Sequence, residues 1–446
     1  MQANAETPPL SLPRRLLFAS GSFGANVTFQ TLATWLLFFY APSDSDRETL
    51  VPIGAVGVIL LIGRIIEAVD DPLIGYWSDV FRSRWGRRLP FILFGSPVLA
   101  LTFFLLWVPP VGHESLWNAL WLFVVLEAFF FANTVVGGPY EALLPEVARS
   151  SQERISLSAL KVYFGAAGAG VVFLAGGVLV SRAGFGTMGA VMALLALASR
   201  LAPVAALWGR PSTGEEPERP GFVYALRETL RNDQFVAYMP AFVLFTAAQT
   251  MLTQLFPYFV DVVLRDVAID LPFTAHRLED TGEKVSFVTA LFFVPLLASV
   301  TLMSRVARAK GKRWTYGVSM LATGLGFPLM FFVGFIPGVP NLVETLFLLG
   351  LAAPMAALFV FPNALLADIT DYDEQRTGMR REAIYYGAQA TLQKAGLGLA
   401  AGVFGGLLDL FGKTADDPLG IRLVGPAAGA LTLAGWYVFH RRYRLD

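Results

Sequence analysis

Long apolar stretches alternate with short polar links along the whole chain. Twelve can be read, at roughly 16–40, 52–77, 89–108, 117–145, 155–181, 187–208, 236–263, 285–306, 315–336, 342–367, 385–410 and 421–440. Each is long enough to cross about 30 Å of hydrocarbon at about 1.5 Å per residue. The in–out alternation of outer-membrane barrel strands is missing, and a spanning segment outside a closed barrel must satisfy its backbone within a helix. The pattern predicts an all-α membrane protein of 12 transmembrane helices.

The polar links set the orientation. With the N-terminus in the cytoplasm, 23 Lys and Arg fall inside and 7 outside, while Arg64, Lys161, Arg200 and Lys394 lie within spans. Arg82, Arg84, Arg87 and Arg88 after the second span, and Arg308, Lys310, Lys312 and Arg313 after the eighth, are prominent in the inner set. Cytoplasmic links carry such an excess, so both termini are expected to be cytoplasmic, in an inner or plasma membrane.

Composition agrees and removes several function classes. The 446 residues are 55% hydrophobic and only 15% charged, against about 25% charged in soluble domains. Basic and acidic residues balance at 34 each, so no net field draws nucleic acid. The lack of cysteine excludes disulfides, thiolate nucleophiles and Cys-ligated metals, and His113, His276 and His440 fall in links or at span ends. The start MQANAETPPLSLPRR is polar and proline-rich, so no cleavable signal peptide is expected. A Walker A loop would need glycine at 407, where leucine stands, and neither a voltage-sensor arginine ladder nor a TVGYG-type filter occurs. ATP-driven pumping and ion conduction are thereby disfavoured. A membrane-bound enzyme or receptor is a remote alternative, because the longest link has only 27 residues.

That link, 209–235, is rich in Gly, Pro and Glu and reads as a cytoplasmic linker with a short amphipathic helix around Phe222–Leu230. It separates an N-terminal six-helix bundle, 1–208, from a C-terminal one, 236–446. The halves look duplicated. Gly86-Arg87-Arg88 returns as Gly311-Lys312-Arg313 at an offset of 225, and Ala142-Leu143-Leu144 returns as Ala364-Leu365-Leu366 at 222. Two parallel six-helix halves are the plan of the major facilitator fold.

Charges inside the spans carry the candidate chemistry. The second span holds Arg64, Glu67, Asp70 and Asp71; spacings of three and four put Arg64, Glu67 and Asp71 on one helical face, with Asp70 beside it. A charge at a helix centre costs about 2.5–3.5 kcal/mol on insertion scales, so such a set must face water or one another. It reads as a cation or proton site; the structural alternative is two headgroup aspartates and an Arg64–Glu67 pair. Lys394 lies about ten residues into the eleventh span and needs a carboxylate or an anionic ligand. Gly398, Gly402 and Gly406 follow it at every fourth position, a spacing that allows close helix packing. Lys161 either anchors its span at the cytoplasmic surface or contacts substrate. Glu127 and Arg200 are further intramembrane charges without an assignable partner, and Pro72, Pro139, Pro257, Pro295, Pro354 and Pro362 predict kinks.

Several motifs resemble one family. Asp71-Pro72-Leu73-Ile74-Gly75, Asp79 and Arg84-Trp85-Gly86-Arg87-Arg88-Leu89-Pro90-Phe91 are similar to the span 2 signature of the glycoside–pentoside–hexuronide:cation symporters. PYEALLPE (139–146) with Glu153-Arg154, ADITDYDE (367–374) with Arg380 and Glu382, and Lys394 agree in the same way, so the resemblance reaches both halves. It implies a secondary transporter of the major facilitator fold that moves a sugar with Na+, Li+ or H+ and uses no other cofactor. On the resemblance, the ion site falls on Glu67 and Asp71, with Asp70 as polar neighbour and Thr134 from span 4. The sugar-site positions fall on Asn26, Gly137, Glu141 and Lys161, where the melibiose-type pattern has carboxylates, an aromatic and an arginine. These departures point away from a melibiose-like galactoside. Vertebrate lysophospholipid symporters share the fold and the span 2 and span 11 features, so a sugar, another small polar solute and an amphiphile stay open.

The expectation is therefore a non-enzymatic, cation-coupled symporter in a lipid bilayer, monomeric and working by alternating access. Glu67, Asp70, Asp71 and Thr134 would hold a monovalent cation or proton. Asn26, Arg64, Glu141 and Lys161 would line the substrate cavity, and Lys394 would balance or sense the ion-site charge. Asp79, Arg87 and Arg88 in the first half and Asp368, Asp371 and Arg380 in the second are expected to form a cytoplasmic charge latch.

Overall fold

The computed structural model describes residues 10–43, 47–148, 151–209, 227, 229–270, 277–378 and 382–445. Helices α1 (Leu12–Tyr40), α2 (Ile53–Val80), α3 (Leu89–Leu105), α4 (Leu116–Val147), α5 (Ser151–Val171) and α6 (Gly177–Leu207) precede the long link. After it come α7 (Asp233–Val262), a two-stranded ribbon of β1 (Ile269–Asp270) and β2 (Arg277–Leu278), α8 (Thr281–Lys310) and α9 (Lys312–Gly326). The chain ends with α10 (Asn341–Phe347), α11 (Ala352–Val360), α12 (Pro362–Thr377), α13 (Glu382–Phe411) and α14 (Leu419–Arg442). The ribbon is antiparallel, pairing Ile269 with Leu278 and Asp270 with Arg277.

Helix covers all or most of every predicted apolar stretch. Among the described residues, eight helical runs are long and apolar enough to cross a membrane, and α3 is a shorter apolar helix. Exposed apolar stripes run along them, such as Val58, Ile62 and Ile65 on α2 and Phe94, Val98 and Leu101 on α3. These are helical spacings, and an apolar stripe turned outward suits lipid rather than water.

Local chemistry explains the helix ends. Ser115 caps α4 by accepting from Trp117 N at 3.2 Å, Asn232 caps α7 by accepting from Gln234 N at 3.0 Å, and Asp280 caps α8 by accepting from Gly282 N at 2.8 Å. Two boundaries differ from the sequence expectation. The fifth and sixth stretches form one continuous run, through a π turn at Val172–Gly176, and the break is the single residue Gly184, at φ 79° and ψ 171°. The tenth stretch is split, with a helix restarting at Pro362 and continuing to Thr377. Proline suits a first helical turn because its missing N–H has no intrahelical partner there. ADITDYDE thus lies on a helix rather than in a loop. Pro139, Pro257 and Pro295 sit inside continuous helices, and Pro354 falls in the first turn of α11. The side chain of Pro72 lies outside the described residues, as does most of the helix expected at Phe222–Leu230.

By contact the chain divides into two units. One contains Met1–Leu32 and Ile66–Glu218, the other Ala33–Ile65 and Arg219–Asp446. In the first, Phe18 and Tyr140 pack with ring centroids 5.4 Å apart, and Phe103 lies 5.8 Å from Phe129. In the second, Tyr238, Tyr316, Phe439 and Tyr443 form one aromatic cluster.

The second unit also takes in the end of α1, the α1–α2 connection and the start of α2. Tyr258 donates to the Ala41 carbonyl at 2.8 Å, Ser43 donates to Asp261, and Lys413 donates to the Pro42 carbonyl. At the start of α2, a Cβ on Gly57 would stand 2.8 Å from Ala401 O, and one on Gly405 would stand 3.1 Å from Gly57 Cα. Gly398 faces Leu61 and Arg64, and Gly402 touches Leu61, whereas nothing stands within 4 Å of a Cβ at Gly406. The close-packed glycines are therefore 398, 402 and 405 and not the every-fourth set, because a helix returns to the same face after seven residues, not eight.

Candidate functional site

Helices α2 and α4 bring two of the predicted ion-site residues together. Thr134 Oγ1 donates to Asp71 Oδ1 at 3.0 Å. Glu67, one turn earlier on the same face of α2, is 1% exposed, while Asp70 and Asp71 are half-buried. Carboxylate and hydroxyl oxygens are hard donors that suit an alkali cation, and a carboxylate alone can carry a proton. Among the described residues no three His, Cys, Asp or Glu side chains gather into a metal cage, so Glu67, Asp70 and Asp71 do not converge as a three-carboxylate group.

A second polar cluster lies in the same unit. Lys161 on α5 is paired with Glu141 on α4, Nζ to Oε2 at 2.5 Å, and its ammonium stands 4.5 Å from the centroid of the Tyr140 ring. The Tyr140 hydroxyl donates to Phe18 O at 2.9 Å and shares a hydrogen bond with Ser22 at 3.2 Å. Asn26 donates to Ser22 O at 3.1 Å, and Gly165 of α5 lies so close that a Cβ there would be 2.8 Å from Asn26 Nδ2. Arg200 on α6 donates to Asn133 Oδ1 at 3.2 Å, and Gly24 N donates to Ser199 Oγ at 2.7 Å. Asn133, Tyr140 and Glu141 share one face of α4, at spacings of seven and eight. Of this cluster, Asn26, Glu141 and Lys161 were expected from the sequence. Asn133, Tyr140, Ser22 and Ser199 were not, although Tyr140 is the second residue of the PYEALLPE motif and supplies an aromatic beside the Glu141 position.

The chain's remaining expected substrate residues lie in the other unit. Arg64 and Lys394 are half-buried, and Lys394 precedes by one helical turn Gly398, at which an added Cβ would come 3.2 Å from Arg64 Cβ.

Of the expected latch residues, Arg87 bonds Glu146 at 3.0 Å, and Arg88 bonds Glu146 and the Ala142 carbonyl. In the other unit Asp368 pairs with Lys312 at 2.5 Å, and Asp371 is exposed. The side chain of Asp79 and the whole of Arg380 lie outside the described residues. Glu146 and Lys312 thus join the ionic groups at these helix ends, both in motifs that the sequence repeats.

Apolar helices that hold carboxylates, hydroxyls and the Lys161–Glu141 ion pair, with ionic pairs at their ends, suit a membrane transporter. The family model for MFS/sugar transport proteins matches residues 17–445. The chain belongs to that family. Within it stand the glycoside–pentoside–hexuronide:cation symporters that the motifs resemble. The isoprimeverose transporter of Lactiplantibacillus pentosus is 24% identical over 90% of this chain and 81% of its own length. The sodium-dependent lysophosphatidylcholine symporter 1 of Gallus gallus is 30% identical over a shorter match, 34% of this chain and 28% of the relative. Among solved structures, the nucleoside transporter NupG shares the fold with a TM-score of 0.67 at 14% identity, covering 97% of this chain and 100% of NupG. The MFS protein is thus a multi-pass membrane transporter and not an enzyme, a cation-coupled symporter of a small molecule.

Proposed function

We propose that this symporter carries a sugar or glycoside together with Na+ or H+ across the inner or plasma membrane by alternating access. In this reading 12 helices span the bilayer in two six-helix halves, 1–208 and 236–446, joined by the linker 209–235, with both termini in the cytoplasm and the monomer as working unit. The observation that carries it is the Thr134–Asp71 hydrogen bond beside buried Glu67, which sets carboxylate and hydroxyl oxygens side by side within the span. Asp71, Glu67 and Thr134 would ligate the ion, with Asp70 beside them and Lys394 balancing the charge. Asn26, Arg64, Glu141 and Lys161 would meet the substrate. Asp79, Arg87, Arg88, Asp368, Asp371 and Arg380 would act at the cytoplasmic gate as the transporter closes. No cofactor beyond the coupling ion is needed. Support for a sugar comes from the isoprimeverose transporter's likeness over nearly the whole chain.

A lysophospholipid or similar amphiphile is the second reading, supported by the shorter but higher identity to the sodium-dependent lysophosphatidylcholine symporter. One experiment separates the two. The purified protein in proteoliposomes is tested for uptake of labelled pentose and hexose glycosides and of lysophosphatidylcholine, under imposed Na+ or H+ gradients. Gradient-driven accumulation of a glycoside supports the first reading. Accumulation of the lipid alone replaces it with the second, and uptake that ignores both gradients rejects cation coupling.

A further inference from the structure

Arg200 is a guanidinium inside the first unit, 3% exposed, and its hydrogen-bond partner carries no charge. That partner is Asn133 Oδ1 at 3.2 Å, and Arg200 Nε is buried without a hydrogen bond. Among the described residues no carboxylate lies within ion-pair distance of Arg200. Two turns along α4 from Asn133 stands the carboxylate of Glu141. Glu141, however, already holds Lys161 at 2.5 Å. The cluster thus sets two cations, Lys161 and Arg200, against one carboxylate. Glu141 is also the open side of it, with its side chain 66% exposed while Lys161 and Arg200 are buried.

A buried charge without a counter-charge is among the most unfavourable features a protein interior can carry, and in a membrane segment it marks a ligand site. Guanidinium suits carboxylate and phosphate because its planar donors match their oxygens in pairs. We propose that the transported solute bears a single negative charge, which Arg200 and Lys161 neutralise while Asn133 holds the guanidinium in place and Tyr140 supplies a ring face beside it. Arg200 then sets specificity, by leaving a net positive charge that a neutral solute cannot satisfy. This deepens the symporter reading and rests on it.

The test is titration calorimetry on the full-length protein in lipid nanodiscs, with and without Na+, using two matched pairs of probes. One pair is 4-nitrophenyl β-D-glucuronide and 4-nitrophenyl β-D-glucoside. The other is oleoyl lysophosphatidylglycerol, a phosphodiester with one negative charge, and oleoyl glycerol, which tells a glycosidic anion from a lipid one. In the wild type the anionic member of one pair should bind at least about tenfold more tightly than its neutral partner, since lost charge pairing is worth one decade or more. Asn133→Asp, which gives Arg200 an internal counter-ion without changing volume, should abolish that preference, and Arg200→Lys should retain part of it. Equal binding of both members of each pair, or an unchanged preference in Asn133→Asp, overturns the proposal. A neutral glucoside bound equally well and still strengthened by Na+ overturns this inference alone and leaves the symporter reading standing. No binding of any of the four probes rejects the inference as well.

Discussion

Lys312 Nζ lies 2.5 Å from Asp368 Oδ2, and these two residues stand where the first repeat has Arg87 and Glu146, themselves paired at 3.0 Å. The glycine before each basic pair repeats the backbone as well, with φ 93° at Gly86 and 88° at Gly311. A duplication inferred from three-residue matches is thus matched by two independent physical features, an ion pair between the same segments and a left-handed glycine that sets the second partner.

The two pairs should differ in their contribution to stability. The side chains of Arg88 and Glu146 are 6% and 14% exposed, and Glu146 serves two guanidiniums, whereas those of Lys312 and Asp368 are 34% and 23% exposed. Removing one partner of a buried pair costs about 3 kcal/mol or more, while an accessible pair contributes about 0–1 kcal/mol. Glu146→Gln should therefore lower the thermal midpoint in detergent clearly and Asp368→Asn only slightly. The reverse ranking would show that burial does not govern these pairs.

Gly57 and Gly405 make a second stability prediction. Gly57→Ala drives a methyl to 2.8 Å from the Ala401 carbonyl, and Gly405→Ala drives one to 3.1 Å from Gly57 Cα and Ile53 O, all backbone atoms that cannot turn aside. Overpacking of this kind costs about 1–3 kcal/mol. Gly406→Ala, one residue on, meets open space and should be neutral or stabilising by up to about 1 kcal/mol from helix propensity. Equal midpoints for Gly405→Ala and Gly406→Ala in thermal unfolding would contradict the observed face.

Gly184 should be intolerant of side chains for a different reason. Its φ of 79° with ψ of 171° is a region open essentially to glycine alone, and an added Cβ meets no neighbour. Backbone strain of about 1–3 kcal/mol is therefore the whole expected effect of Gly184→Ala. Because an added Cβ meets nothing and serine is not β-branched, Gly184→Ser should cost about as much as Gly184→Ala in the same unfolding assay. A much larger loss for serine would locate the cause in packing instead.

The helices were legible because their signal is length and apolar content, which every predicted stretch carries over many residues. Boundaries were less so. Gly184 breaks a helix alone, without a polar link to announce it, and Pro362 restarts a helix that the polarity of ADITDYDE concealed. In the candidate sites, spacing told which residues share a face but not which helix that face meets. The i, i+4 relation of Glu67 and Asp71 was readable within α2, and Thr134 came only from a family resemblance. The contacts of Glu146 with Arg88 and of Arg200 with Asn133 join residues more than fifty positions apart, and periodicity within one helix holds no trace of them.

The coupling ion provides the most decisive functional prediction. Asp71→Asn keeps the volume and an oxygen that can accept from Thr134, so the 3.0 Å hydrogen bond and the fold should survive. Removing a charge from a span also lowers its insertion cost by about 2–3 kcal/mol, and the thermal midpoint should stay level or rise. The ion, however, loses an anionic oxygen, and an alkali cation is held mainly by such charge. Thr134→Ala removes a neutral ligand and leaves Asp71 charged, so it should weaken ion dependence less than Asp71→Asn does. Coupling is reciprocal between the two ligands, so an Asp71→Asn protein that still binds substrate should bind it with an affinity that no longer depends on Na+ or pH. Uptake into proteoliposomes under imposed Na+ and H+ gradients, alongside binding with and without Na+, checks each step. Normal gradient-driven accumulation by Asp71→Asn would remove Asp71 from the coupling site, and a stronger loss in Thr134→Ala than in Asp71→Asn would place the hydroxyl, not the carboxylate, at its centre.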